Sequence, residues 1–240
     1  MGVSIGAFSM GDGVMAGEQL QQAANGGTGA RSLAEEITSA TIQGSAAVAS
    51  VAGLAFLVAR AWPRPSALPL LGVLVYGISL IMAFLASALY HGIWHQRLKR
   101  VFRAIDHCTI FLLIAGTYTP IVLIALWRHQ GWLLLAAVWS LAIAGAVLRL
   151  ARGAGFHRIA IPLYLVMGWL VLGWSGTLYE AVGAVPLALF AAGGLAYTGG
   201  LLFYRATRLP FSNPLWHLSV VTGSAFFYLG IALYVLPSAT

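Results

Sequence analysis

The stretch YHGIWHQRLKR at residues 90–100 carries two histidines four apart, His91 and His95, followed at once by Arg97, Lys99 and Arg100. Four-residue spacing places two imidazoles on one face of a helix, the spacing of zinc-binding pairs. Ser87 lies four residues before His91 and shares its face. Further along, Asp106 adjoins His107, and Asn213 precedes His217 by four. Near the beginning of the first apolar run come Glu35, Glu36, Ser39 and Gln43, and Glu36, Ser39 and Gln43 fall on one helical stripe.

His91, His217 and Asp106 form a set that zinc favours, with neutral imidazoles as donors and a carboxylate as ligand or supporting acceptor. A zinc with two or three protein ligands keeps a position for water and lowers that water's pKa towards 7. Asp106 then serves as general base, and Ser87 orients the water or a bound carbonyl.

The elements that must position these residues are membrane helices. Of the 240 residues, 60% are hydrophobic and only 8% charged, against about 25% charged in a soluble domain. The net charge of +7 comes in short clusters between apolar runs, the habit of membrane proteins, and this argues against a nucleic-acid partner. The single cysteine, Cys108, forms no internal disulfide and reads as helix packing.

A crossing helix needs about 20 apolar residues, and seven stretches qualify, at about 37–59, 67–91, 105–127, 131–149, 159–179, 182–204 and 214–237. They are continuous and do not alternate, which excludes a barrel. The expected fold is an all-α integral membrane protein, a seven-transmembrane helix bundle over residues 35–240, preceded by a flexible N-terminal segment, 1–34, without the pattern of a secretory signal. The loops on the N-terminal side hold Arg31, Arg97, Lys99, Arg100, Arg103, Arg149, Arg152, Arg158, Arg205 and Arg208, against Arg60, Arg64 and Arg128 on the other. That bias predicts a cytoplasmic N-terminus and a C-terminus outside. It also sets Glu36, Ser87, His91, Asp106, Asn213 and His217 at one depth in one leaflet, although they come from distant parts of the chain. Ionisable groups at membrane depth are costly, so their convergence points to function.

SALYH (87–91), DHCTIFLLIAGTYTP (106–120), YLVMGW (164–169), GGLAYTGGLLFY (193–204) and LWHLSVVTGS (215–224) resemble the hemolysin III family. That family is the bacterial branch of the progestin and adipoQ receptor superfamily. The resemblance runs from about Glu35 to the C-terminus. It implies seven helices, a bacterial inner (plasma) membrane location, and a cytoplasmic-side zinc site on helices two, three and seven. Carried over, the metal residues are His91 and His217, with Asp106 acting through water and Ser87 supporting. The implied activity is zinc-dependent hydrolysis of a lipid amide or ester, with membrane lipids as partners and no protein partner indicated. Three positions depart from the pattern. Asn213 stands where the terminal HxxxH has its first histidine, and EEITSATIQ puts Ser39 and Gln43 where EExxNxxxH has asparagine and histidine. An amide oxygen binds zinc more weakly than imidazole.

Other readings stand beside these. His95 lies among Gln96 and Arg97 and fits the membrane interface better than a ligand role. His107 fits packing. Asn213 before Pro214 is also a favoured helix start, and Glu35 and Glu36 also suit the positive end of a helix. The glycines at 193, 194, 199 and 200 fit close helix packing. The alternative function is a non-enzymatic membrane protein, either pore-forming and cytolytic or a receptor-like factor in membrane homeostasis.

Overall fold

A backbone in hydrocarbon has no water to bond, so an apolar run of about 20 residues is driven into a helix that satisfies its own N–H and C=O groups. The computed structural model describes residues 32–152, 156–206 and 208–238, without the side chains of His157 and Arg158. Among the described residues there are helices and turns and no strand. The helices are α1 (Leu33–Ala61), α2 (Ala67–Gly92), α3 (Gln96–Ile121), α4 (Gly131–Arg152), α5 (His157–Trp169), α6 (Ser175–Val182), α7 (Ala184–Arg205) and α8 (Ser212–Gly230). A 3-10 turn, Leu170–Trp174, joins α5 to α6 in one span, giving seven segments long and apolar enough to cross a bilayer. The chain is an all-helical, multi-pass membrane protein.

The segment expected to be flexible, 1–34, lies outside the described residues as far as residue 31, while Leu33 and Ala34 already belong to α1. Ser32 caps that helix by accepting the Glu35 N–H at 3.2 Å. Helix α3 begins at Gln96, well before the expected residue 105. Gln, Arg, Leu and Lys are good helix formers, and nothing in QRLKRVFR breaks a helix. With the turns that follow, the third span runs 34 residues to His129. That is roughly 50 Å at helical rise, against a hydrocarbon core of about 30 Å. Its basic first turns therefore extend past the apolar layer. The boundary between the fifth and sixth spans falls at Gly183, whose φ of +84° is open to glycine and strained for other residues.

Helix α3 is the most buried span and packs between α2 and α4, while α1 contacts α2 and α8, and α7 lies along α8. Phe84, Phe111, Leu113, Val138 and Met167 belong to the core. Val48, Phe56, Leu71, Val147, Leu195 and Leu202 point outwards. A water-soluble domain does not expose so much apolar surface, and lipid covers it here. Close approach between helices requires glycine at a few places. A Cβ on Gly116 would meet Ser79 Cβ at 2.7 Å, and one on Gly193 would meet Phe227 at 2.7 Å. Gly200 and Gly194 also face neighbours, against Ser219 and Trp169, whereas Gly199 has open space around it.

The break in the fifth span lies at membrane depth, so its freed backbone groups need partners inside the protein. Tyr118 of α3 supplies them. Its hydroxyl donates to the Met167 carbonyl at 2.9 Å, with the Gly168 carbonyl beside it at 3.0 Å, and accepts the Val171 N–H at 3.0 Å. Replacing Tyr118 by Phe strands these groups. We expect a loss of about 1–3 kcal/mol, read as earlier thermal unfolding in detergent, with α-helical content unchanged at low temperature.

Candidate functional site

Three spans bring their polar residues together at the end of the bundle that carries the basic loops. Helix α2 ends at Gly92, and His95 belongs to the next element as the exposed N-cap of α3. The four-residue spacing of His91 and His95 is thus never expressed on one helix. His91 instead turns inwards to His217, and the two Nε2 atoms lie 2.9 Å apart. Both side chains are buried.

Each imidazole is held from behind. His91 Nδ1 bonds Glu36 Oε2 at 3.1 Å, and Lys99 Nζ donates to the same oxygen at 2.8 Å. His217 Nδ1 lies 2.5 Å from Gln43 Nε2. One assignment of protons serves all of these contacts. Gln43 donates to His217 Nδ1, His217 Nε2–H donates to His91 Nε2, and His91 Nδ1–H donates to the Glu36 carboxylate, which Lys99 balances. Both histidines are neutral in this arrangement. Glu36, Gln43 and Ser39 come from the stripe on α1 noted in the sequence, and α1, α2 and α8 are tied by a single hydrogen-bonded chain.

Asn213 lies in the first turn of α8, which begins with Ser212, and it does not cap that helix. Its Nδ2 donates to Ser39 Oγ at 3.0 Å and stands 3.5 Å from His91 Nε2. The departures from the family pattern at 39 and 213 therefore touch each other. Glu35 is separate from the cluster and accepts the Phe211 N–H at 2.6 Å, where Phe211 has a φ of +57°. Ser87 is buried, and its Oγ has no partner among the described residues, as is true of Gln43 Oε1.

A cavity of about 90 Å³ opens beside the histidine pair, lined by Ser87, His91, Asp106, Asn213 and His217, with Gln43 and Arg103 also on its wall. Asp106 is half-buried there. A second, strongly apolar cavity of about 120 Å³ shares Ile110, Leu113, Tyr164, Leu201, Trp216 and Val220 with the first. The polar site is thus the mouth end of a longer apolar space reaching Trp169 and Phe227. His107 also lines the first cavity, and Arg149, buried on α4, places Nε and Nη2 at 3.1 and 2.9 Å from its Nδ1. An imidazolium has no lone pair to accept a guanidinium, so His107 is neutral.

Among the described residues, no three His, Cys, Asp or Glu side chains converge closely enough to hold a metal. The convergent atoms are the two Nε2 atoms and, beside them, the Asn213 amide nitrogen, which has no lone pair to offer a metal. This set fits a metal held through two imidazoles. His91 donates its outer N–H to a carboxylate, the arrangement found behind metal-ligating histidines, whereas the outer nitrogen of His217 accepts from Gln43. Gln43 suits both states, since its amide can turn Oε1 to a protonated Nδ1 when His217 Nε2 gives up its proton. Sequence reasoning left out Lys99, Arg103 and Arg149, which look like ordinary loop-facing cations until the fold brings them to Glu36, the cavity and His107.

The family model described as "Haemolysin-III related" matches residues 32–228. "Hemolysin-3" of Bacillus cereus is 38% identical over 206 residues, covering 86% of this chain and 94% of that protein. "Hemolysin-3 homolog" of Bacillus subtilis (strain 168) is 36% identical over 200 residues, covering 83% and 94%.

The hydrogen-bonded chain predicts an order of stability. Gln43→Leu leaves His217 Nδ1 buried without a donor and is expected to cost about 1–3 kcal/mol. Ser87→Ala removes a hydroxyl with no partner, and thermal unfolding should show no loss or a slight gain. The reverse order would refute the assignment.

Proposed function

This chain belongs to the hemolysin III-related family, and on that premise we propose that it is a metal-dependent hydrolase of a lipid amide or ester, working in the cytoplasmic leaflet of a bacterial inner membrane. The observation that carries the reading is the approach of His91 Nε2 to His217 Nε2 at 2.9 Å, at the polar end of an apolar cavity. Two buried imidazoles aimed at one point are costly in a membrane protein unless something is held there.

His91 and His217 would hold the metal, zinc by its preference for imidazole, and Asn213 would join them only with its amide turned to present Oδ1 in place of the Nδ2 that faces His91. When bound, the ion supplies Lewis acidity and a water of lowered pKa. The residues of the chain do the rest. Glu36 fixes the His91 ring with its Nε2 lone pair towards the site, and Gln43, with its amide turned to accept from Nδ1–H, would do the same for His217 once its Nε2 proton is lost. Asp106, on the wall of the same cavity, takes a proton from the attacking water onto its carboxylate and passes it to the amine or alcohol released as the acyl C–N or C–O bond breaks. The Ser87 hydroxyl, with no partner among the described residues, donates to the carbonyl oxygen of the bound lipid. The apolar cavity receives the chain and keeps bulk water from the reacting bond.

The count of basic loop residues supports a cytoplasmic site and N-terminus. The name of the Bacillus cereus relative raises a cytolytic alternative. Against a water-filled pore through the single chain stands its middle, which is filled by Phe84, Phe111, Leu113 and Met167.

Metal content and lipid hydrolysis of the purified protein test the proposal. Zinc is expected in the native chain, with His91→Ala or His217→Ala losing it along with activity. Asn213→His should tighten zinc at least about tenfold, the gain of an imidazole over an amide. A native chain without zinc, together with histidine variants that leave metal content and hydrolysis unaltered, would sink the reading.

A further inference from the structure

Helix α3 contributes one stripe to both cavities, beginning with Arg103, continuing through Asp106 and His107, and ending with Ile110, Leu113 and Thr117. Steps of three and four residues keep these on one helical face. Helical rise sets Leu113 roughly 15 Å from Arg103 along the axis. Going inwards, the wall is cationic, then hydrogen-bonding, then hydrocarbon. That is the polarity of an amphiphile read from head to tail.

Four basic residues crowd this end of α3, and they are not equivalent. Lys99 is held by Glu36 at 2.8 Å. Of Arg97, Lys99, Arg100 and Arg103, only Arg103 lines the cavity. It is exposed as well as lining the cavity. Glu36 is engaged with His91 and Lys99, and Glu35 with the Phe211 backbone, while Asp106 lines the same cavity one turn further along α3. A guanidinium offers paired N–H donors that match a phosphate or carboxylate.

We infer that Arg103 recognises the headgroup, and that the cavity takes an amphiphile with an anionic head, phosphate or carboxylate, whose chain runs past the histidine pair into the apolar space. The inference deepens the hydrolase reading and rests on it for the bond that is cut, but binding can be measured without turnover.

The test uses the full chain in phosphatidylcholine nanodiscs and three probes with the same tail: ω-bromoundecanoate, ω-bromoundecyl phosphate and ω-bromoundecanol. Bromine at the tail end quenches Trp169, which lines the apolar cavity. The Trp169 signal is the difference between the native chain and Trp169→Phe. Both anionic probes should reach half-quenching at a concentration roughly tenfold lower than the alcohol, the scale of one charge-assisted hydrogen bond. Arg103→Gln should erase that preference with the alcohol unchanged, Arg103→Lys should keep most of it, and Arg100→Gln should keep all of it.

Equal affinities in the native chain, or a preference that survives Arg103→Gln, overturn the inference and leave the hydrolase reading untouched. Loss of preference in Arg100→Gln also overturns it, because surface charge in general would then be the cause. No quenching of Trp169 by any probe overturns it by removing the amphiphile from the cavity. A preference that depends on Arg103 in a chain without zinc or hydrolysis sustains the inference while the hydrolase reading falls.

Discussion

The contact between His91 and His217 is the constraint on which the rest of the site depends. Two Nε2 atoms at 2.9 Å cannot both carry a proton and cannot both present a bare lone pair without cost. The contact is tenable because the outer nitrogens are assigned opposite roles, one donating to Glu36 and the other accepting from Gln43. Remove either support and the pair loses its orientation. The same chain of bonds joins α1 to α2 and α8, so the order of the helices at this end of the bundle and the chemistry of the site have one cause.

Hydrocarbon as solvent explains where the irregularities lie. Apolar side chains on the outside cost nothing when lipid covers them, which leaves polar groups as the expensive part of the structure. Most are spent in one place, between α1, α2, α3 and α8. Two of the exceptions are local and satisfied, while the buried Tyr76 hydroxyl has no hydrogen-bond partner among the described residues. The break in the fifth span is bonded by the Tyr118 hydroxyl, and Arg149 at the end of α4 rests on His107. Ser87 differs from these. A buried hydroxyl without a partner among the described residues, set beside two converging imidazoles, is the kind of group a substrate or a water would complete.

The substitutions at 39 and 213 also read differently in three dimensions. In the sequence, Asn213 is a missing histidine and Ser39 a missing asparagine, 174 positions away. In the fold, the Asn213 amide donates to the Ser39 hydroxyl, so the two changes compensate as hydrogen-bonding partners. Gln43 likewise replaces a histidine while still bonding His217 Nδ1, since an amide can present either a donor or an acceptor to an imidazole.

Seven helices, their approximate limits and the gathering of Ser87, His91, Asp106, Asn213 and His217 at one end were legible in the sequence, because continuous apolar runs and basic loops fix depth without reference to packing. Depth is a one-dimensional property, and a sequence records it directly. Which residues touch is decided by helix rotation and neighbour order, and these arise from packing between segments far apart in the chain. Thus the pairing of His91 with His217 and not His95, the Glu36–Lys99 link, the Arg149–His107 contact and the place of Arg103 on the cavity wall became visible only in the tertiary structure. The membrane determined how deep each polar group lies, and helix packing determined what it meets there.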